Sequence, residues 1–199
     1  MSLIAKGTPA VAPVPEGTYI ARCVQVIDLG TQHSQMYDNE ARKVMIRWEL
    51  PQETFKTADG NDQPRLIHAV YTNSLNEKAS LRKMLEGWRS KKFTEEELAG
   101  FDLSKLISLP CMVTITHTVA NNGNKYANIS AVAALPKGME APPQVNESII
   151  FDIDNPADEP KYNVFPEFIQ KMISNSKEYD RTAVLTEEEP FQPTDDLPF

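Results

Sequence analysis

"PRLIHAVYTNSLNEKASLRKMLEGW", residues 64–88, changes its period halfway. Its first part carries the β-branched and aromatic residues of a strand. From Ser74 onward apolar residues return at helical spacing: Leu81, Met84, Leu85 and Trp88 stand at i, i+3, i+4 and i+7, with Lys78, Arg82 and Arg89 largely off that stripe. Ser74 followed three residues later by Glu77 has the form of a capping box. In that motif the hydroxyl accepts from a backbone N–H and the carboxylate reaches back, so the sequence predicts a helix that starts there. The fold turns on what flanks this switch from strand to helix.

Upstream, "GTYIARCVQVIDLG" (residues 17–30) is β-branched, bounded by glycines and long enough for one continuous strand. "ARKVMIRWEL" (residues 41–50) alternates. Val44, Ile46, Trp48 and Leu50 share one face, while Lys43, Met45, Arg47 and Glu49 share the other, which predicts a half-buried strand with a partly basic outer face. Pro51 should end it, and "QETFKTADGNDQ" should be a loop. Downstream, "TEEE" at Thr94 to Glu97 repeats the cap signature for a short second helical turn. "LPCMVTITHTVANNGNKYANISAVAALP" then reads as two strands joined by Asn-Asn-Gly-Asn, whose Asn and Gly residues tolerate the positive φ of a tight hairpin. Three strands, a helix and two strands make the chain mainly β, in the layout of a five-stranded OB-fold barrel with a helix between the third and fourth strands. An unrelated α+β sandwich with the same element order is the alternative.

The ends differ from this body. Residues 1–15, rich in Ala and Pro, read as a flexible arm, and residues 16–137 as the OB domain. Within 138–180, "KGMEAPPQVNE" reads as a linker. "FPEFIQKMISNSKEY" (residues 165–179) reads as an amphipathic helix with Pro166 in its first turn and Phe168, Ile169, Met172 and Ile173 in a stripe. That helix must pack on its own barrel or on a second copy, which leaves a homodimer open. Residues 181–199 have no usable period and read as a disordered acidic tail.

Charge divides the same way. The net charge is −8, but residues 1–139 hold 16 Lys/Arg against 14 Asp/Glu, net +2, and residues 140–199 hold 4 against 14, net −10. A basic-to-neutral body with an acidic extension suits a polyanion binder. No apolar run approaches the roughly 18 residues of a membrane span, and the first residues lack the form of a secretory signal. The two cysteines, Cys23 and Cys111, sit in β-like runs without metal spacing. Buried thiols in a cytoplasmic protein are therefore the expectation, although a bridge between them stays open.

Catalysis finds no support. His33, His68 and His117 fall on separate elements, and no HExxH, GxSxG or phosphate-cradling glycine loop is present. "DIDNPADEP" spaces Asp152, Asp154 and Asp158 like a calcium loop. It has Ala157 where the loop needs Gly and Asn163 where it needs a bidentate Glu, so a solvated acidic turn is the better account. No metal or cofactor is expected. Single-strand binding instead requires exposed aromatics for bases and cations for phosphates. On an OB barrel these lie on the second and third strands and in the loops between strands 1 and 2 and strands 4 and 5. Tyr37, Arg42, Lys43, Arg47, Phe55, Arg65, Tyr71, Lys125 and Tyr126 occupy those places. Trp48 is a further candidate, although its apolar face-mates favour a core position over a stacking platform. Trp88, on the helix stripe, belongs to the core, while Arg89, Lys91 and Lys92 either extend a groove or cover the helix end.

The last residues, "DDLPF", together with the barrel layout, the linker and the acidic tail, resemble single-stranded-DNA-binding proteins of the bacterial and bacteriophage type. "WEL", "LRKMLEGWRSKKFTEEELAGFDLSKL" and "FPEFIQKMISNSKEY" look more like the phage-encoded versions. The chain departs from the bacterial pattern in lacking a long Gly/Gln-rich linker and in placing a helix before the tail. The resemblance implies a non-catalytic protein of the bacterial host cytoplasm that coats single-stranded DNA during replication or recombination. It also implies a tip, Asp195, Asp196, Leu197, Pro198 and Phe199, that docks on replication and recombination proteins. In that tip the Phe199 ring plugs an apolar pocket and the aspartates steer it. Removing residues 181–199 should then leave DNA binding unchanged or tighten it. Two other readings remain: an OB-type module that binds only protein, and an enzyme of unrecognised mechanism.

Overall fold

The computed structural model describes residues 12–34, 38–57, 59–120 and 123–179. The elements are β1 (Gly17–Ser34), β2 (Asn39–Lys56), β3 (Asp62–Thr72), α1 (Ser80–Arg89), α2 (Glu95–Ala99), a 3₁₀ turn (Leu103–Leu106), β4 (Pro110–Val119), β5 (Lys125–Ala133) and β6 (Ile149–Phe151). A second 3₁₀ turn (Pro156–Asp158), α3 (Glu159–Tyr162) and α4 (Glu167–Ser174) complete them. The protein is mainly β. Its antiparallel sheet has the order β3-β2-β1-β4-β5, with β6 paired to β1 off that path, and it is not closed by hydrogen bonds. β4 pairs with β1 (Ala21 opposite Cys111) and with β5 (Val113 opposite Val132), with a bulge between Thr114 and Ile115. Among the described residues no helix is long and apolar enough to cross a membrane.

The chain divides into two compact units, Met1–Ile27 with Met45–Ile150, and Asp28–Val44 with Phe151–Phe199, so the division falls within β1 and β2. In the first unit α1 lays its stripe on the sheet, and Leu81, Met84, Leu85 and Trp88 are all buried. The helix packs against both β3 and β5, and these two edge strands themselves approach within 8 Å Cα to Cα. Gly87 permits this closeness, since a Cβ there would stand 2.8 Å from the Val132 carbonyl oxygen. Trp88 meets Trp48 at 6.0 Å between ring centroids and donates its Nε1–H to the Pro110 carbonyl at 3.0 Å. Each such buried aromatic contributes about 2–3 kcal/mol by area alone.

The structure departs from three local expectations. Ser74 does not cap α1: its hydroxyl accepts the Asn76 N–H in a local turn, and α1 starts at Ser80 behind Ala79, which makes no side-chain cap. A short hydroxyl side chain satisfies a turn as readily as a helix end, so the motif alone does not choose. Thr94, by contrast, forms the complete capping box with Glu97. Pro51 does not end β2, which continues to Lys56; the missing N–H removes one donor without breaking the strand.

The second face of β2 also differs from the half-buried strand expected. Met45 and Glu49 are fully buried and Arg47 is 8 % exposed, so the strand is buried on both faces. The cover at Glu49 comes from the segment read as a linker. The Glu49 carboxylate accepts from Val145 N–H, Asn146 N–H (2.8 Å) and Asn146 Nδ2 (2.9 Å). Arg22 donates to the Pro142 carbonyl, and Gln63 to the Asn146 side chain. A buried carboxylate is tolerated when its lone pairs are filled in this way.

In the second unit, residues 165–178 contact the parts of β1 and β2 that belong to it. Ile169 and Ile173 are fully buried, and Phe151 meets Phe165 edge-on at 5.4 Å. Gln32 donates to the Met172 carbonyl, and Lys177 pairs with Glu40 at 2.5 Å. Thr31 gives both its N–H (2.6 Å) and its hydroxyl (2.7 Å) to the Glu178 carboxylate. Gly30, at φ +66, makes room: a Cβ there would come within 2.6 Å of Ser176 Cβ.

Candidate nucleic-acid interface

Of the ten sequence candidates, nine lie among the described residues, and some of these use their chemistry internally while others face solvent. Arg42 belongs to the former. Its guanidinium hydrogen-bonds Asp28 and lies 2.8 Å from Asp154 and 3.8 Å from Asp152. The hydrogen bond to Asp28, with further help from Asp154, raises its pKa above the ordinary arginine value against the opposing effect of partial burial. The three carboxylates converge within 4.8 Å, a grouping able to hold a cation, and the Arg42 guanidinium already stands among them. The acidic turn is likewise committed to the protein. Asp158 is buried, accepts the Asp152 N–H and pairs with Lys161 at 2.6 Å, and Asp152 accepts the Asp154 N–H. Lys43 is half-buried.

Arg47 donates to the Gln25 side chain at 2.5 Å, and its Nε has no protein partner among the described residues. Burial lowers its guanidinium pKa. Trp48 has no exposed surface and is core, as its face-mates suggested. Tyr71 is half-buried, and burial, with a smaller effect from Cys111, pushes its phenol up to about 12. Cys23 and Cys111 are buried free thiols, and burial pushes Cys23 up to about 12. Tyr37 and the tip Asp195, Asp196, Leu197, Pro198 and Phe199 lie outside the described residues.

What faces solvent concentrates on two hairpins. At the end of β2, Phe55 is 41 % exposed and is followed by Lys56, which pairs with Asp62 at 2.8 Å across the turn. At the start of β5, Lys125 is exposed and Tyr126 is 50 % exposed, opposite Val119 and Thr118 of β4. An aromatic and a cationic residue thus follow one another in sequence at both hairpin ends, the two residue types that base stacking and phosphate contact require. Arg65, half-buried at the start of β3, donates its Nη1 to the Ala12 carbonyl at 2.6 Å.

Residues 12–16, the end of the arm expected over residues 1–15 together with Glu16, reach both hairpins. Besides Ala12 on Arg65, Glu16 Oε1 accepts the His117 N–H at 2.7 Å, and the His117 ring Nε2 lies 2.8 Å from the Val14 carbonyl. Val14 is 7 % exposed while its four neighbours in the segment are exposed. The one local sign was Val14 set between Pro13 and Pro15, because a residue that precedes proline is held extended. Val119, 64 % exposed at the β4–β5 tip, was also passed over, although its place beside the Asn/Gly turn marks it. No protein-family model matches this chain, and no curated protein matches it in sequence.

Proposed function

We propose that this protein binds single-stranded nucleic acid, DNA in the first instance, without catalysis, on an OB-type sheet. The observation that carries the reading is the exposed aromatic and cation pair at each of two hairpin ends, Phe55 with Lys56 and Lys125 with Tyr126. A base has a π-face whatever its identity, so such pairs grip a strand without reading its sequence. The sheet order supports the OB assignment. Pairing β3 to β5 would turn β3-β2-β1-β4-β5 into a Greek-key barrel, and these two strands already approach each other with α1 packed on both. On this reading the chain coats and protects single strands in replication or recombination. Asp195 to Phe199 would recruit partner proteins, as the resemblance in sequence implies.

A module that binds only protein is the second reading, favoured by the internal use of Arg42, Arg47 and Trp48. Fluorescence anisotropy of a labelled oligo-dT at low and high salt separates the two. Binding that weakens steeply with salt supports the nucleic-acid reading, because phosphate contacts release counterions. A full chain that leaves oligo-dT unbound at low salt would favour the protein-only module.

A further inference from the structure

We propose that Arg65 and the backbone N–H of His117 form a subsite for the phosphodiester backbone, that residues 12–16 fill it in the unbound protein, and that a nucleic-acid strand displaces them. The inference rests on the single-strand-binding reading and adds to it a built-in competitor. Its basis is the pattern of donors and acceptors along the segment. Three of its oxygens, the Ala12 carbonyl, the Val14 carbonyl and a Glu16 carboxylate oxygen, face an arginine, an imidazole and a backbone amide in turn. A row of oxygen acceptors along an extended chain offers these groups what a row of phosphate oxygens would.

Two features show why the donors are available. The β1–β4 pairing ends at Gly17 opposite Ile115, so His117 lies beyond the last β1 partner, and Glu16 takes the amide that the ladder no longer uses. At Arg65, the Nη1 donates to one carbonyl while the buried Nε has no protein partner among the described residues. A single carbonyl meets only part of the guanidinium fork, whereas a phosphate can take two parallel hydrogen bonds from it. The segment is also built to come away. One buried side chain, Val14, and a few hydrogen bonds hold it, and it carries the negative charge of Glu16 where a phosphate would arrive. The exposed stacking groups Phe55 and Tyr126 lie on the same two hairpins that it ties together.

The test combines binding and a direct view of the segment in the full-length protein. Labelled oligo-dT is titrated at low salt into the natural chain, Glu16→Gln, which removes the charge and keeps an acceptor, and Glu16→Ala, which removes both. Affinity should rise in both variants, by roughly three- to tenfold for Glu16→Ala, the net scale of losing one ordinary solvent-accessible hydrogen bond. In the natural protein the Val14 methyl NMR signals should move from buried to solvent-exposed positions as oligo-dT saturates. Val14 signals that stay at their buried positions in the saturated complex would overturn the proposal and make the segment a permanent part of the sheet. Unaltered affinity in both Glu16 variants would overturn it as well. Failure of the parent reading looks different, since the natural chain itself would then leave oligo-dT unbound.

Discussion

Arg42, near the start of β2, and the Lys125–Tyr126 pair, at the start of β5, are the same kind of feature in sequence: a cation beside a hairpin turn, with an aromatic close by. Their surroundings make them opposites. Arg42 faces Asp28, Asp152 and Asp154, and its charge serves to hold the acidic turn of residues 152–158 against β1 and β2. Lys125 and Tyr126 project from a hairpin whose outer positions, Val119 among them, face solvent. Arg42 is withdrawn from phosphate by three carboxylates at once, and two of them come from more than 100 positions later in the chain.

The contrast is exposed most sharply by substitutions with unequal effects. The largest is expected at Trp48. Truncation to Ala in a fully buried aromatic site should cost about 3–5 kcal/mol, read from denaturant unfolding. A stable Trp48→Ala protein that had lost DNA affinity would instead make Trp48 a stacking platform. Next is Gly30→Ala, which meets both a positive φ and Ser176; roughly 3 kcal/mol is expected. A midpoint within error of the natural protein would mean that residues 176–178 do not sit tightly on β1. For Tyr126→Ala the effect should fall on binding alone, about 1–3 kcal/mol of oligo-dT affinity with the unfolding midpoint unmoved.

Acid should act on the α4 side. Burial raises the Glu178 carboxyl pKa, but the two hydrogen bonds from Thr31 and the Arg42 charge outweigh it, and the net shift is downward. Glu178 therefore contributes fully above the unfolded glutamate value, near 4.3, and that contribution is lost as pH falls through the lower folded value. Thermal midpoints of the natural chain and Glu178→Gln should converge as pH drops below about 4; parallel curves would refute the assignment. The smallest effect is expected at Arg42→Ala, whose oligo-dT affinity should stay within about twofold of the natural protein, since its charge is already neutralised. A tenfold loss would place Arg42 in the interface and dissolve the distinction drawn between the two regions.

Much of this arrangement was legible beforehand. The stripe Leu81, Met84, Leu85 and Trp88 marked α1, though its start was misplaced at Ser74; Thr94 and Glu97 announced a real capping box, and the apolar partners of Trp48 on β2 pointed to core. What could not be read was tertiary. The alternation of residues 43–50 says that one face is more polar, but Gln25, Val145 and Asn146 decide that Arg47 and Glu49 are buried. Ser74 and Thr94 carry the same local pattern, and only the surrounding packing selects which of them opens a helix. The ties from residues 12–16 to Arg65 and His117 span 53 to 103 positions, beyond any periodicity.

The chain has two tryptophans, and both are sealed inside the first unit with their rings 6.0 Å apart. Ultraviolet emission from this protein therefore reports on its interior. Rings so close should couple their excited states and give a strong near-ultraviolet circular dichroism band that vanishes on melting. Adding an oligonucleotide, by contrast, should leave the tryptophan light almost unquenched, so the chain carries its own unfolding indicator.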